Sequence, residues 1–265
     1  MKERPQPFTV STYPSSAEYI ALAERLAELY AASPIPKNEV VEQLVLYAGP
    51  TSLRRLLYLD RLYQAILDVP GAVMLFGVRW GRDLASFQTF GQLYEPMNYA
   101  RRIIGFDTFS GFPAVSPKDG EDRAIRTGAY GVTQAYEEHL AAVLAAKRQL
   151  GTFAHMERVE LHKGEAAEQL RAYLDAHPQT AVALAYFDLD LYEPTKACAQ
   201  MLVPFLGRGA IVAFDEFIHP VHPGETVAAR EVFGANARFR RIPHLGPGHS
   251  GYLVFDGEVS PRTTP

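Results

Sequence analysis

The chain has 265 residues, 48% of them hydrophobic and 21% charged, so it can bury a sizeable core as one large α/β domain or two small ones. Its formal net charge of −4 argues against nucleic acid and anionic membranes as partners, and favours a small polar substrate. The single cysteine, Cys198, excludes an intramolecular disulfide and a multi-cysteine metal site. Without a signal-peptide pattern or a membrane-spanning apolar run, we expect a cytoplasmic protein.

The first 70 residues predict a helical layer. After an irregular arm over residues 1–15, apolar residues recur at helical spacing from Ser16, and the stretch SPIPK interrupts the pattern. Two further helices are predicted over 38–47 and 52–67. We expect this layer to pack on the rest of a single domain, residues 1–265, with a lid or a dimer surface as the alternative. The layer makes a homo-oligomer plausible.

From Gly71 onwards, short apolar runs alternate with amphipathic helical patterns. Runs that are apolar on both faces and bounded by glycine or acids are typical of buried parallel strands. The predicted strands cover 71–77, 101–107, 159–164, 181–190 and 209–217, and the predicted helices cover 83–93, 132–149, 165–175 and 194–206. This alternation predicts an α/β fold with a doubly wound, mostly parallel sheet, and the tail predicts an antiparallel strand pair.

The first two strand ends indicate a nucleoside-containing cofactor. In an open parallel sheet, ligands bind beyond the carboxyl ends of the strands. The first run ends in GVRWG, whose glycines permit a tight turn ahead of a helix, although a plain strand–helix turn is the alternative. The second run ends at Asp107, where an acid can accept ribose hydroxyls. An oxidoreductase would be expected to carry a fuller glycine fingerprint.

The strongest cluster comprises the acids Asp188, Asp190, Asp215 and Glu216 at the fourth and fifth strand ends. Adjacent parallel strands end at one rim, and clustered carboxylates repel each other unless a cation neutralises them. Oxygen ligands suit Mg²⁺, Ca²⁺ or Mn²⁺, so a metal site is favoured for Asp188, Asp215 and Glu216. Acids can instead cap loops or helix N-termini, and that interpretation is favoured for Asp190.

Other polar residues carry weaker signals. His219 and His222 lie in the loop IHPVHPGE and are candidates for metal ligands, substrate contacts or plain loop residues. Trp80 more often packs than stacks on a ligand. The weakest candidates in the tail are His244, His249 and Tyr252. The cations that flank the strands and are expected to be solvated are Lys163, Arg101 and Arg102.

Five segments carry a family resemblance: GVRWGRD, GFDTFSGFP, FDLDLYEPT, FDEF and PGETVAARE. They resemble the macrocin/mycinamicin family of sugar O-methyltransferases, which modify deoxysugars of antibiotics, over about residues 71–234. The run D-x-D-L-Y-x-P-T, followed by a strand and an acid pair, is the most specific of them. The resemblance implies a Rossmann-like class I methyltransferase that uses S-adenosyl-L-methionine and Mg²⁺ on a small-molecule sugar.

The resemblance also assigns residues. Those implied for the methionine part of the cofactor are Gly77, Val78, Arg79 and Trp80. Those implied for its adenosine are Asp107, Thr108, Phe109, Gly164 and Glu165. Those implied for Mg²⁺ are Asp188, Asp215 and Glu216, with Asp188 also as the general base. The candidates for the substrate are Tyr192, His219 and His222.

The sequence departs from the family pattern at two positions. Leu75 stands where the family commonly has an acid, and the acid pair is Asp-Glu where the family usually has Asp-Asp. The first change bears on cofactor contacts, and the second lengthens one metal ligand by a methylene. The alternatives are a hydroxylase-like activity on the same fold, a nucleotide-dependent oxidoreductase and a non-catalytic nucleoside-binding protein.

Overall fold

The computed structural model describes residues 17–257, apart from residues 123, 235 and 247. Six strands form one sheet in the order β3-β2-β1-β4-β5-β6, in which β1 to β5 are parallel and β6 runs antiparallel to β5. The predicted doubly wound, mostly parallel sheet is confirmed. The strands are β1 (Ala72–Phe76), β2 (Ile103–Asp107), β3 (Val159–Lys163), β4 (Val182–Phe187), β5 (Leu206–Phe214) and β6 (Gly251–Val254).

The helices of the described residues include the four that the sequence predicts after β1, β2, β3 and β4. The helices are α1 (Ala17–Ala31), α2 (Lys37–Val40), α3 (Pro50–Gln64), α4 (Arg82–Tyr94), α5 (Tyr136–Arg148), α6 (Ala166–Ala176), α7 (Tyr192–Leu202) and α8 (Gly224–Phe233), with 3₁₀ turns at Val41–Leu46, Pro117–Asp119 and Val203–Phe205. Helices α3, α4 and α5 pack in one group, and α6, α7 and α8 pack in another. Every residue of β1 and β4 is buried, as expected for strands covered on both faces.

A ladder of phenylalanine rings aligns the strand ends. The rings stack across neighbouring strands with centroids 5.0, 4.7 and 5.2 Å apart. In the order β2, β1, β4 and β5, they belong to Phe106, Phe76, Phe187 and Phe214. The residues that follow them, in the same order, are Asp107, Gly77, Asp188 and Asp215. Because the strands are in register at the ladder, these four residues emerge at one level of the sheet edge.

Two features differ from the sequence prediction. Helix α8 was not predicted, although its buried residues Ala228, Ala229, Val232 and Phe233 recur at three- and four-residue spacing behind the turn-forming Pro223. The tail closes the sheet through the antiparallel pair of β5 and β6, as predicted. Among its described residues, the run before β6 makes an isolated bridge between Arg240 and Tyr252 in place of a second tail strand.

The prediction that Arg101 is solvated is wrong. Its side chain is buried and its guanidinium donates to the main-chain carbonyls of Ile66, Val69 and Gly71 at 2.7–3.0 Å. It also forms an ion pair with Glu95 at 2.9 Å. Carbonyls left free at the end of α3 and before β1 need donors, and a guanidinium can satisfy several at once.

The described N-terminal residues fall into two parts with different packing. Helix α3 is amphipathic and buries Tyr58, Leu59 and Leu62 in the core. The segment before it, residues 18–46, has no buried residue. The apolar side chains exposed on this helical arm are Tyr19, Ile20, Leu22, Leu26, Leu29, Tyr30, Val41, Leu44, Val45 and Leu46. Residues 1–16, most of which form the predicted irregular arm, lie outside the described part of the chain.

Cys198 lies in α7 and is completely buried, and this burial raises the pKa of its thiol. Among the helices of the described residues, none is long and apolar enough to cross a membrane.

Candidate functional site

A cavity of about 370 Å³ opens at the carboxyl ends of the strands. It lies where the strand order changes direction between β1 and β4, the usual ligand position in such sheets. The sequence-predicted residues that line it are Gly77, Val78, Arg79, Trp80, Asp107, Thr108, Gly164, Glu165, Asp188, Asp215 and Glu216. The structure also describes Phe109, Tyr192, His219 and His222, which are not among the lining residues.

The turn after β1, the glycine turn, contains glycines at positions where the main chain adopts positive φ or where another main-chain segment passes close by. Gly77 has φ +91°, and a Cβ there would overlap the main-chain carbonyl of Asp188. Gly81, at φ +82°, precedes the first residue of α4. Arg79 also adopts a positive φ, of 50°, which is uncommon for a residue with a side chain. Position 77 therefore requires glycine, and the residues of the turn from Gly77 to Trp80 line the cavity.

Asp107 organises this turn. One carboxylate oxygen accepts the main-chain N–H groups of Val78 and Arg79 at 2.6 and 2.7 Å. The other accepts the N–H of Phe109 at 2.6 Å. Phe109 itself points into the hydrophobic core, and Thr108 donates to the carbonyl of Gly111 at 2.8 Å. Asp107 thus fixes the loops after β1 and β2 relative to each other, and its Oδ1, which accepts one N–H group, keeps acceptor capacity for a ligand hydroxyl.

Aromatic rings flank the same part of the cavity. The ring of Trp80 meets Tyr136 edge-on with centroids 4.7 Å apart, and the hydroxyl of Tyr136 donates to the carbonyl of Trp80 at 2.9 Å. The guanidinium of Arg79 lies 4.9 Å from the ring centroid of Tyr130. On the far side, Glu165 caps α6 by accepting the N–H of Glu168 at 3.0 Å.

The acids at the ends of β4 and β5 surround a buried arginine. Arg55, on α3, pairs with Asp188 at 2.7 Å, with Asp83 at 2.6 Å and with Asp215. Asp215 also accepts hydrogen bonds from the hydroxyl of Tyr186 at 2.9 Å and from that of Ser250 at 3.1 Å. The side chain of Arg55 is only 6% exposed, so these ion pairs are poorly screened by solvent. A cation from the protein itself therefore neutralises part of the cluster that the sequence identified.

Excess negative charge remains around this arginine. Burial and the neighbouring Asp215 raise the pKa of Asp188 well above its usual value, although Arg55 opposes the shift. Burial and Asp215 raise the pKa of Asp190 to about 7. Burial and Asp190 raise the pKa of Glu216 to about 11. Carboxylates in this state favour either a proton or a further cation.

Glu225, on α8, ties the two acid-bearing loops together. One of its carboxylate oxygens accepts the main-chain N–H groups of Leu189 and Asp190 at 2.8 and 3.1 Å. The other accepts the N–H of Glu216 at 3.0 Å. Glu225 is completely buried. Its bidentate contact sets the spacing of the loops after β4 and β5.

Asp190 does not cap α7, contrary to the prediction. That helix begins after Leu191 without a side-chain cap, and Asp190 lines the cavity with a positive φ of 60°. Tyr192, a predicted substrate residue, donates from its hydroxyl to Glu231 at 2.6 Å and is buried. These contacts direct its ring towards α8.

Three histidines lie beside Glu216. The ring centroid of His219 lies 4.5 Å from that of His222 and 4.6 Å from that of His249. The Nε2 atoms of His249 and His219 lie 3.3 and 3.8 Å from Oε2 of Glu216. Burial lowers the pKa of all three imidazoles, that of His249 to about 4, so they are neutral near neutral pH.

The carboxylates of Asp188, Asp215 and Glu216 form an acid rim at the cavity, and their oxygen donors suit a hard divalent cation. Asp188, Asp215 and Glu216 supply carboxylate oxygens, and Oε2 of Glu216 is buried without a hydrogen-bond partner. Such an atom needs a partner that this protein does not provide among its described residues. The three side chains proposed from the sequence as metal ligands therefore fit a cation, with Arg55 as an unexpected neighbour.

Sequence reasoning missed four residues of this site: Arg55, Asp83, Glu225 and, as more than a weak candidate, His249. Arg55 lies in a helix that carries no recognisable motif. Asp83 had a signal, because it ends the segment GVRWGRD that carries part of the resemblance. Glu225 had a signal, because it lies in the segment PGETVAARE that carries part of the resemblance. The lining position of His249 depends on how the tail folds back along β5.

The sequence matches no protein-family model and no curated protein. Two structures of CalS11 are similar to it. One, described as a calicheamicin methyltransferase, is 43% identical over 91% of this chain and 93% of that chain, with a TM-score of 0.87. The other, the apo form described as a TDP-rhamnose 3'-O-methyltransferase of calicheamicin biosynthesis, is 40% identical over 91% and 95%, with a TM-score of 0.77.

The O-methyltransferase NovP shares the fold at 19% identity, over 77% of this chain and 80% of that chain, with a TM-score of 0.56. The likeness to CalS11 covers 91% of this chain in both structures. The protein therefore belongs to the family of S-adenosylmethionine-dependent sugar O-methyltransferases that includes CalS11.

Proposed function

We propose that the protein methylates one hydroxyl of a deoxysugar in antibiotic biosynthesis, with S-adenosyl-L-methionine as donor and a divalent cation, Mg²⁺ by preference, as a helper. CalS11 acts on TDP-rhamnose, which makes a nucleotide-linked rhamnose the first candidate and an aglycone-attached sugar the second. The observation that carries the proposal is the single cavity that joins the glycine turn and Asp107 to the acid rim.

The two halves of the cavity have separate tasks in this proposal. Gly77 to Trp80 hold the methionine part of the donor, and the adenosine lies towards Asp107, Thr108, Gly164 and Glu165. Phe109 supports that half from the core. The acid rim holds the sugar, and His219, His222 and Tyr192 stay candidates for positioning it from behind the rim. Alignment of the two reactants can contribute about 7–11 kcal/mol to lowering the barrier.

In the reaction, the sugar oxygen forms a bond to the methyl carbon while the carbon–sulfur bond of the sulfonium breaks. The hydroxyl proton passes to Asp188, which lies at the end of β4 beside the cavity. A cation held by Asp188, Asp215 and Glu216 would lower the pKa of the hydroxyl and fix its direction. Arg55 holds Asp188 in place through its ion pair.

The test compares Asp188→Asn with Asp190→Asn in a methyl-transfer assay on TDP-rhamnose. Loss of a general base typically costs roughly 10²- to 10⁴-fold in rate, so Asp188→Asn should show that loss and Asp190→Asn a smaller one. S-adenosylhomocysteine should still raise the melting temperature of Asp188→Asn. A near-normal rate for Asp188→Asn with an inactive Asp190→Asn would transfer the role of base to Asp190.

A thermal-shift titration of the wild type tests the cofactor and the metal separately. At about 100 times its Kd, S-adenosylhomocysteine should stabilise the protein by about 2.7 kcal/mol, and EDTA should remove any contribution of the cation. A shift with the nucleoside and no effect of EDTA would keep the methyltransferase and count against the carboxylate metal site. No shift at all would contradict the proposed cofactor.

We also propose that the protein forms a homo-oligomer through its helical arm, residues 17–46. The arm exposes ten large apolar side chains and buries none of its described ones, which favours a protein partner. Sedimentation of the full chain tests this directly. The single domain over residues 1–265 and the cytoplasmic location stay predictions from the sequence, the latter because a lone cysteine suits a reducing compartment.

A further inference from the structure

Two histidines converge on the unpartnered carboxylate of the acid rim. Glu216 follows β5, His219 lies three residues further along the same loop, and His249 comes from the tail just before β6. One ligand atom from each of these residues lies within 4.8 Å of the others. The Nε2 atoms of His249 and His219 lie 3.3 and 3.8 Å from Oε2 of Glu216.

The burial of Glu216 points to a missing ligand. This residue is 5% exposed, and its Oε2 atom has no hydrogen-bond donor. The neighbouring carboxylates of Asp188 and Asp215 differ, because each is paired with the guanidinium of Arg55. A buried, unpartnered carboxylate oxygen is costly, so its position beside two imidazoles calls for a group that binds all three.

We propose that Glu216, His219 and His249 form a binding site for a transition-metal ion, of the class of Co²⁺, Mn²⁺ or Zn²⁺. Two imidazoles and one carboxylate suit these ions, whereas Mg²⁺ and Ca²⁺ prefer oxygen ligands alone. Metal bonds of about 2.0–2.1 Å place neighbouring tetrahedral ligands about 3.4 Å apart. The spacings between Glu216 and the two histidines are close to that value.

The residues around His219 restrict its ring, and metal binding would break one of their contacts. His222 packs against His219 with centroids 4.5 Å apart, which limits the rotation of that ring. The main-chain N–H of Val221 lies 3.4 Å from Nδ1 of His219, a long contact. Coordination through Nε2 requires a proton on Nδ1, so the Val221 contact is given up when metal binds.

This site borders the cavity through Glu216 and His249, both of which line it. It shares Glu216 with the all-carboxylate set that the proposed function assigns to Mg²⁺, but it differs from that set in two of its three ligands. Metal binding here can be measured without methyl donor or sugar, so a failure of the proposed activity would leave the result intact.

The test is a titration of the EDTA-treated full chain with Co²⁺, followed by the visible absorption of the bound ion. His249→Ala and His219→Ala should each raise the Kd for Co²⁺ by at least roughly tenfold. His155→Ala, which removes an exposed histidine before β3, is the matched control and should leave the Kd unchanged. Asp188→Asn should also bind Co²⁺, and excess Mg²⁺ should not displace it.

Two results would overturn the proposal: no Co²⁺ binding by the wild type, or an unchanged Kd in both His249→Ala and His219→Ala. If Asp188→Asn loses binding in the second case, the ion lies on the carboxylates alone. Melting temperatures check that each variant folds, and His249→Asn and His219→Asn, which keep a polar side chain, replace any alanine variant that does not.

Discussion

The two halves of the cavity are held together in different ways. At the ends of β1 and β2, a single carboxylate, Asp107, binds main-chain N–H groups of adjacent loops, and this half is stabilised by backbone geometry. At the ends of β4 and β5, side-chain charges predominate, and the rim depends on Arg55, which reaches it from α3. The first half is thus prearranged without excess charge, whereas the second is a balance of charges that ligands can shift.

We expect the largest loss of stability when Arg55, the cation among the acids at the ends of β4 and β5, is removed. Arg55→Met removes a cation from Asp83, Asp188 and Asp215, of which Asp215 is buried and Asp83 keeps its ion pair with Arg82. Loss of one partner from a buried ion pair typically costs about 3–5 kcal/mol. The free energy of unfolding in urea measures the effect. Arg61→Met, an exposed position on the same helix, should change stability by no more than about 0.5 kcal/mol. A similar small change in Arg55→Met would mean that the rim does not depend on its arginine.

The second largest effect is expected in the pH dependence of stability, to which Glu216 at the end of β5 should contribute. Burial and Asp190 raise the pKa of Glu216 to about 11 in the folded protein, far above its unfolded value. Its stabilising contribution is therefore complete below the unfolded pKa and is lost as pH rises towards the folded pKa. In EDTA, the wild type should lose about 1 kcal/mol per pH unit between about pH 6 and pH 8.

The matched variant for this test is Glu216→Gln, which cannot titrate. Its stability should vary less with pH than that of the wild type, and it should be the more stable of the two at the alkaline end. Urea unfolding at several pH values gives both slopes. Equal slopes would show that Glu216 keeps an ordinary pKa or is neutralised by a bound ion.

A smaller effect, on cofactor affinity, is expected in the backbone-held half, which is the part of the cavity at the ends of β1 and β2. Asp107→Asn replaces one acceptor oxygen with an NH₂ group that faces main-chain N–H donors, so the turn after β1 should loosen. We expect S-adenosylhomocysteine to bind about tenfold more weakly, equivalent to about 1.4 kcal/mol, as measured by calorimetric titration. Asp122→Asn, which removes an acid that accepts one loop N–H elsewhere, should leave the affinity unchanged.

The backbone-held half could be predicted from the sequence because its signals are local. A strand that ends in GVRWG and a second that ends in Asp107 indicate their own structure and position, and the sheet topology then brings them together. The same reasoning placed Asp188, Asp215 and Glu216 on one rim, which the cavity lining confirms. Their assigned roles stay predictions.

The ion pairs of the acid rim could not be predicted from the sequence, because Arg55 is remote along the chain from the acids that it binds. Arg55 lies 133 residues before Asp188 and 160 before Asp215, in a helix whose pattern indicates only packing. The sequence argument required a cation for the acids and considered only a metal, whereas the fold supplies a guanidinium. Asp190 was misjudged for a related reason, since its positive φ and its cavity position depend on the hydrogen bond from its N–H to Glu225.

The burial of Cys198 makes this chain suited to site-specific labelling. A thiol that is completely buried and has a raised pKa reacts slowly with maleimides, and the chain contains no other cysteine. A cysteine introduced at the exposed Glu24 of the arm would therefore be the one accessible thiol, with no background to remove. A spin label or fluorophore there would report distances between arms in an assembly.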